Sequence, residues 1–349
     1  MSNYDQFAAA VKEISGGKNV VLLDDLGLPS VYVPINKLKN SEIISGGSEN
    51  THPAFSVEGV EKSRFLYSKY QNIIINGRAY SLSHRDPKAY VNFDQARQAC
   101  EAKGAGFHLG TIAEWAAVAL LTRKMGTMPH GNNNYGGDSA YTYEKGQESA
   151  KDNNKTGRTF TGSGPATWGH DHTQFGIQDM NGNVWEWLGG MRLNEGEIHI
   201  IPYNNAALGS ECDMSASSTL WKAIKNDGSL VAPGTAATLK YDFVSGNIQL
   251  TTGITSAQDA GRGGSYTAMT LASGVTAPEL AKALILYPDE PGKDYGGDYH
   301  WMNNAGERLP IAGGSWSNGA GAGVFYLYLY NARSNSNGYI GFRSAYVEL

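Results

Sequence analysis

The stretch Gly176–Trp187 reads GIQDMNGNVWEW. From Asn183 the pattern predicts a strand running to Leu193, a turn at Asn194-Glu195-Gly196 and a returning strand over Glu197–Tyr203. Runs of apolar, aromatic and β-branched residues bounded by Asn and Gly carry that signature. Further downstream, Tyr241–Val244 and Ile248–Thr251 flank Ser245-Gly246-Asn247 and predict a second hairpin. Pro278–Leu286 predicts a short helix, because proline suits the first helical turn.

Upstream, two longer helices are well punctuated. Phe93–Lys103 has Asn92 as its N-cap and Gly104 as its stop, with Phe93, Ala96, Ala99 and Cys100 at helical spacing. Ile112–Met125 opens on Thr111 and Glu114, which form a capping box, and closes at Gly126. Phe65–Tyr70 and Asn72–Ile75 read as strands. Residues 1–60 differ in texture and read as an N-terminal extension, a candidate attachment module. Within it lie a short helix over Tyr4–Ile14 and strands at Asn19–Leu23 and Ser30–Ile35. The remainder, residues 61–349, reads as one domain.

Composition fits this reading. Glycine supplies 44 of 349 residues, well above an average share of about 7%, so loops and turns are plentiful. Hydrophobic residues at 41% and charged residues at 17% support a packed core and argue against disorder. A net charge of -5 offers no basic footprint for nucleic acid. No apolar run is long enough to span a membrane. The opening MSNYDQFAAAVKEI has no basic region followed by an apolar run, so no secretory signal is expected. Cys100 and Cys212 form no metal-ligand spacing and read as free thiols.

The most informative segment is the tail, about residues 313–346. Val324–Tyr330 reads VFYLYLY, and period-2 alternation places Phe325, Leu327 and Leu329 on one face and Tyr326, Tyr328 and Tyr330 on the other. Around it stand Ser315, Ser317, Asn318, Gly319, Gly321, Asn331, Ser334, Ser336, Gly338 and Tyr339. Tyrosine gives large, rigid contact area, and Ser, Gly and Asn give adaptable hydrogen bonding, the set that antibody loops use. These thirteen residues are the expected ligand-binding face. Trp185, Trp187, Trp316, Phe325, Leu327 and Phe342 are the expected scaffold.

GIQDMNGNVWEW, together with Gly313-Gly314-Ser315-Trp316 and Gly341-Phe342-Arg343, resembles the formylglycine-generating-enzyme-like (sulfatase-modifying factor) branch of the C-type lectin fold. That resemblance implies an α+β fold with two helices, a small twisted antiparallel sheet and extensive ordered loops. The tail itself resembles the variable region of diversity-generating retroelement target proteins. In such systems an error-prone copy of a template replaces the gene's 3′ end, with errors at adenines. Asn codons mutated at their adenines yield Ser, Gly, Tyr and others, the residues at the expected contact positions.

The resemblance implies a receptor-binding or adhesive protein, phage or prophage encoded. Its expected location is a tail tip or a bacterial surface, and its expected ligand an unknown protein or glycan on a target cell. A homo-oligomer would fit such a role. The alternatives are a fixed-specificity adhesive protein of the same fold, or a degenerate formylglycine-generating-type enzyme. Those enzymes carry a cysteine pair between the GGS and GFR motifs, and Ser315–Gly341 contains none, so no catalytic residue is assigned. No G-x-S-x-G, Walker A or H-E-x-x-H pattern appears. The sugar-binding triplets EPN, QPD and WND of calcium-dependent lectins are absent. His170-Asp171-His172 reads as a solvated loop rather than a metal site. No cofactor is required. A structural calcium is implied by resemblance, held by the Asp179 and Glu186 side chains and the carbonyls of Gly182 and Val184, hard oxygen ligands that suit that ion.

Overall fold

A computed structural model describes residues 3–349. The chain adopts an α+β fold, with strands in the majority and the helices few. The central helices form where their caps dictate. In Ile112–Met125 the Thr111 hydroxyl accepts from Glu114 N at 3.2 Å, and the Glu114 carboxylate accepts from Thr111 N at 3.0 Å. Gly126 ends the helix with φ 71°, a left-handed conformation that costs glycine little. Phe93–Glu101 carries the matching Asn92 and Gln95 pair. A further helix spans Asn3–Ile14, and a short one Glu279–Ala283.

Two sheets organise the rest. The first runs Val20–Leu23, Pro29–Asn36, Arg64–Ser68, Ser344–Tyr346 and Phe107–Leu109, every neighbour antiparallel. The division expected near residue 60 therefore falls between strands of one sheet: Tyr32, Val33 and Ile35 are core residues, in register with Ser68, Tyr67 and Phe65. The second sheet extends through 13 strands. Its centre is the pair Glu307–Gly313 and Gly323–Asn331, and its far end holds the hairpin Lys240–Val244/Asn247–Thr251.

The strand expected over 183–193 is broken. Trp185–Trp187 pairs in parallel with Ile340–Phe342, whereas Met191–Asn194 pairs antiparallel with Glu197–Ile200. Between them Gly190 takes φ +82°, which turns the chain from one partner to the other.

Buried tryptophans tie the layers together. Trp115 Nε1 on the long helix donates to Val324 O at 2.7 Å, and Trp187 Nε1 donates to Val91 O at 2.9 Å. Each satisfied indole lets a large apolar ring be buried without stranding its N–H. Arg343 is fully buried. Its guanidinium pairs with Glu186 at 2.7 Å and donates to the carbonyls of Ser68, Lys69 and Gln178.

Candidate functional site

The strand Gly323–Asn331 lies between Tyr299–Met302, in parallel, and Glu307–Gly313, antiparallel. Alternation holds along it. Phe325, Leu327 and Leu329 are wholly buried. The tyrosine face instead grades outward: Tyr326 is 4% exposed, Tyr328 is half-buried and Tyr330 is 39% exposed. Tyr326 is therefore not the exposed anchor expected of it. Trp185 packs edge-on against its ring at 4.6 Å and Tyr299 at 6.1 Å. Burial pushes its phenol pKa well above the usual range.

The three tyrosine rings of this face form a continuous ladder from the core to the surface. Tyr328 meets Trp185 at 5.3 Å, Trp301 at 6.2 Å and Tyr330 at 5.8 Å. Arg308 lies over Tyr330 at 5.7 Å. Tyr339, 45% exposed, stands edge-on to Trp316 at 6.3 Å. Its carbonyl accepts from Trp185 N at 2.8 Å, which fastens the tail to the WEW strand.

Three other expected contact residues also turn inward. Ser315 N and Oγ both donate to Asn318 Oδ1, at 2.8 and 2.9 Å, closing a turn. Gly321 is buried against the Tyr299 ring, where a Cβ would come within 3.1 Å. Asn331 is buried and accepts from the Asn335 side chain. Ser317, Ser334 and Ser336 are exposed; Asn318, Gly319 and Gly338 are half-buried.

Three aromatic residues outside the tail join this surface. Tyr299 and Trp301 sit on the neighbouring strand, Trp301 in register with Tyr328. Tyr90, strongly exposed, donates its backbone N–H to Asn337 O at 2.9 Å and abuts Gly338. The alternation in Tyr299-His300-Trp301-Met302 was a signal for the first two. Nothing local marks Tyr90.

The oxygens expected to hold calcium converge on a different group. Gln71 Nε2 donates to Val184 O at 2.9 Å, Glu186 Oε1 at 3.0 Å and Asp179 O at 3.1 Å, with Gly182 O at 3.4 Å. Asn183 Nδ2 fixes that amide by donating to Gln71 Oε1 at 2.9 Å. The Asp179 side chain points elsewhere, Oδ2 accepting from Gly162 N at 2.8 Å. Its Oδ1 has no partner among the described residues, and burial raises its pKa to about 6. Arg343 already supplies the positive charge beside Glu186. These residues do not fit calcium: the shared centre is filled by an amide nitrogen, and one of the two expected carboxylates faces away.

The His170-Asp171-His172 loop does not gather ligands either. His170 is buried with its ring nitrogen accepting from Ile177 N, and burial holds its pKa down to about 4. His172 faces Met128 O, and Asp171 pairs with Lys18. No grouping of three or more His, Cys, Asp or Glu side chains suited to a metal occurs among the described residues. Cys100 and Cys212 are buried, and burial raises both thiols, Cys212 to about 11, far from the reactive range.

Residues 17–270 match the model of the sulfatase-modifying factor enzyme 1-like domain; the tail lies beyond the matched residues. No curated protein matches the sequence. Among solved structures, the chain is similar to variable protein 1 of Treponema denticola, with 13% identity over 94% of this chain and 98% of that one and a TM-score of 0.35. It is also similar to the P3c variant of the Major Tropism Determinant, with 12% identity over 94% of this chain and 71% of that one and a TM-score of 0.33.

Proposed function

The chain belongs to the sulfatase-modifying factor enzyme 1-like domain family, and from that premise we propose that it is a binding protein and not an enzyme. It presents the graded aromatic face of the tail to a receptor or adhesive target. The observation that carries this reading is the division of labour along one strand. Phe325, Leu327 and Leu329 anchor it, while Tyr328 and Tyr330 reach the surface beside Tyr339. Surface tyrosines framed by Ser, Gly and Asn make an interface that can be re-specified without rebuilding the core. The interval where the family's enzymes carry their cysteine pair has none here.

The finer proposal is that a retroelement diversifies this face, in a phage or prophage product displayed on a tail tip or a bacterial surface. The ligand would then be a protein or glycan of a target cell. Its support is the tail's composition: the exposed positions Ser317, Tyr330, Ser334, Ser336 and Tyr339 all lie within reach of mutated Asn codons, whereas scaffold residues such as Trp316, Phe325 and Phe342 have no adenine-rich codon of their own. Sequencing the 3′ end of the gene in sibling isolates tests it. Substitutions should concentrate at those positions and at Tyr328, with a near-identical template repeat and a reverse-transcriptase gene nearby. Identical siblings with no repeat would overturn diversification and leave an adhesive protein of fixed specificity.

A further inference from the structure

At the tail opens a cleft of about 520 Å³, lined by residues drawn from 123–141, 172–181, 294–298 and 320–323. That size lies within the range of small-molecule pockets and is ample for one side chain of a partner. Its walls are acidic. Arg123 is their arginine, and it is already engaged by Asp289 at 3.2 Å and Glu290 at 2.7 Å. Asp138 is likewise spent, its two oxygens accepting from the backbone of Gly131, Ala140 and Tyr141. Asp294 is exposed at the rim. Asp298 differs from both. It is 2% exposed, its Oδ2 accepts from Phe325 N at 2.8 Å, and its Oδ1 has no donor among the described residues. A Cβ at Gly323 would collide with Oδ1, so that glycine leaves room for the carboxylate. The cleft also contains an aromatic surface: Tyr141 stacks on His130 with ring centroids 3.8 Å apart.

We propose that this cleft binds a primary alkylammonium group, the lysine side chain of a protein partner, with Asp298 as its counter-ion and Tyr141 against its stem. Burial, with the nearby Asp294 charge, holds the Asp298 carboxyl far above the usual carboxylate range, and a cation beside it would lower it again. An ammonium supplies the missing charge and a donor for Oδ1, and charge-assisted bonds of this kind are the strong ones. Met128, Pro129, Ala320 and Ala322 line the approach, surfaces that suit methylenes. A sugar would need free hydrogen-bonding groups, and the cleft's amides are taken. Asn133 Nδ2 donates to Asn181 Oδ1, Asn133 Oδ1 accepts from Ser139 N, and Asn181 Nδ2 donates to Pro129 O. The groups that would hold the ligand, Asp298, Tyr141 and Asp294, lie outside the tail, which contributes only Ala320, Ala322 and Gly323 to the wall.

The test is titration of the full chain, by NMR and calorimetry, with Nα-acetyl-lysine amide, its Nε-acetylated counterpart and N-acetylglucosamine. The expected result is saturable binding of the first, weakened about tenfold or more by Nε-acetylation. Asp298→Asn keeps an acceptor for Phe325 N–H and should lose binding to a similar degree. Tyr141→Ala and Asp294→Asn alter exposed side chains and should each weaken it severalfold, which keeps the test decisive even if Asp298→Asn fails to fold. Absence of saturable binding, equal binding of the acetylated probe, or wild-type affinity in these variants would overturn the proposal. Tighter binding of N-acetylglucosamine, which carries no ammonium, would overturn it in favour of a glycan.

Discussion

At the scale of single residues, the tail separates side chains that look alike in sequence. Tyr326 and Tyr330 share a face, yet one is clamped by Trp185 and Tyr299 and the other is open to solvent. Tyr326→Ala should cost about 3–5 kcal/mol, because it empties a packed aromatic site. Tyr328→Ala with Tyr330→Ala should remove most of the exposed contact area while shifting the melting temperature by only a few degrees. Equal losses in the two variants, read by thermal denaturation, would show that the whole tyrosine row is core. His300 makes a second case. It is buried between Tyr241 at 5.4 Å and Tyr266 at 6.0 Å, neither ring nitrogen has a partner among the described residues, and burial holds its pKa down to about 3. The unfolded chain takes up that proton near pH 6.5, so stability is lost as pH falls from there toward about 3. His52 and His170, both held down to about 4, act in the same direction. His300→Phe should match or exceed wild-type stability at pH 7.5 and flatten the decline toward pH 4.5. An unchanged slope between melts at those two pH values would contradict this.

At the scale of elements, local chemistry decides what can be read in advance. The helix Ile112–Met125 coincides with its sequence reading because its start and stop are written in Thr111, Glu114 and Gly126. Thr111→Ala should destabilise by about 1–2 kcal/mol, since the hydroxyl both caps the helix and donates to Asn204 at 2.7 Å. Thr111→Ser should recover most of that in denaturant titrations, and failure to do so would assign the loss to the methyl group's packing. Strand polarity along Gly323–Asn331 is equally local, a matter of period 2. Depth is not. The partners that bury Tyr326 arrive from strands about 140 and 27 residues away, and pairing across such distances leaves no mark in a short window. The same holds for the loop 179–186: its oxygens were legible as a cradle, but the occupant, Gln71, comes from a loop more than 100 residues upstream.

At the scale of the whole molecule, the N-terminal region divides differently from its texture. The helix Asn3–Ile14 has no buried residue. The strand Pro29–Asn36, by contrast, places Tyr32, Val33 and Ile35 in the core and covers the edge of Arg64–Ser68. An attachment element would therefore be drawn from the first helix and not from all 60 residues. Two truncations distinguish these roles. Removing residues 1–14 should leave a cooperative melt within a few degrees of the full chain, because little apolar surface leaves water in that helix. Removing residues 1–36 strips three core side chains and bares a strand edge with Phe65 and Leu66 behind it, an edge prone to pairing with other chains. That variant should lose its cooperative transition and aggregate in size-exclusion chromatography. If it instead melted cooperatively as a soluble species, the first two strands would be an appendage after all, and the fold's essential sheet would begin at Arg64.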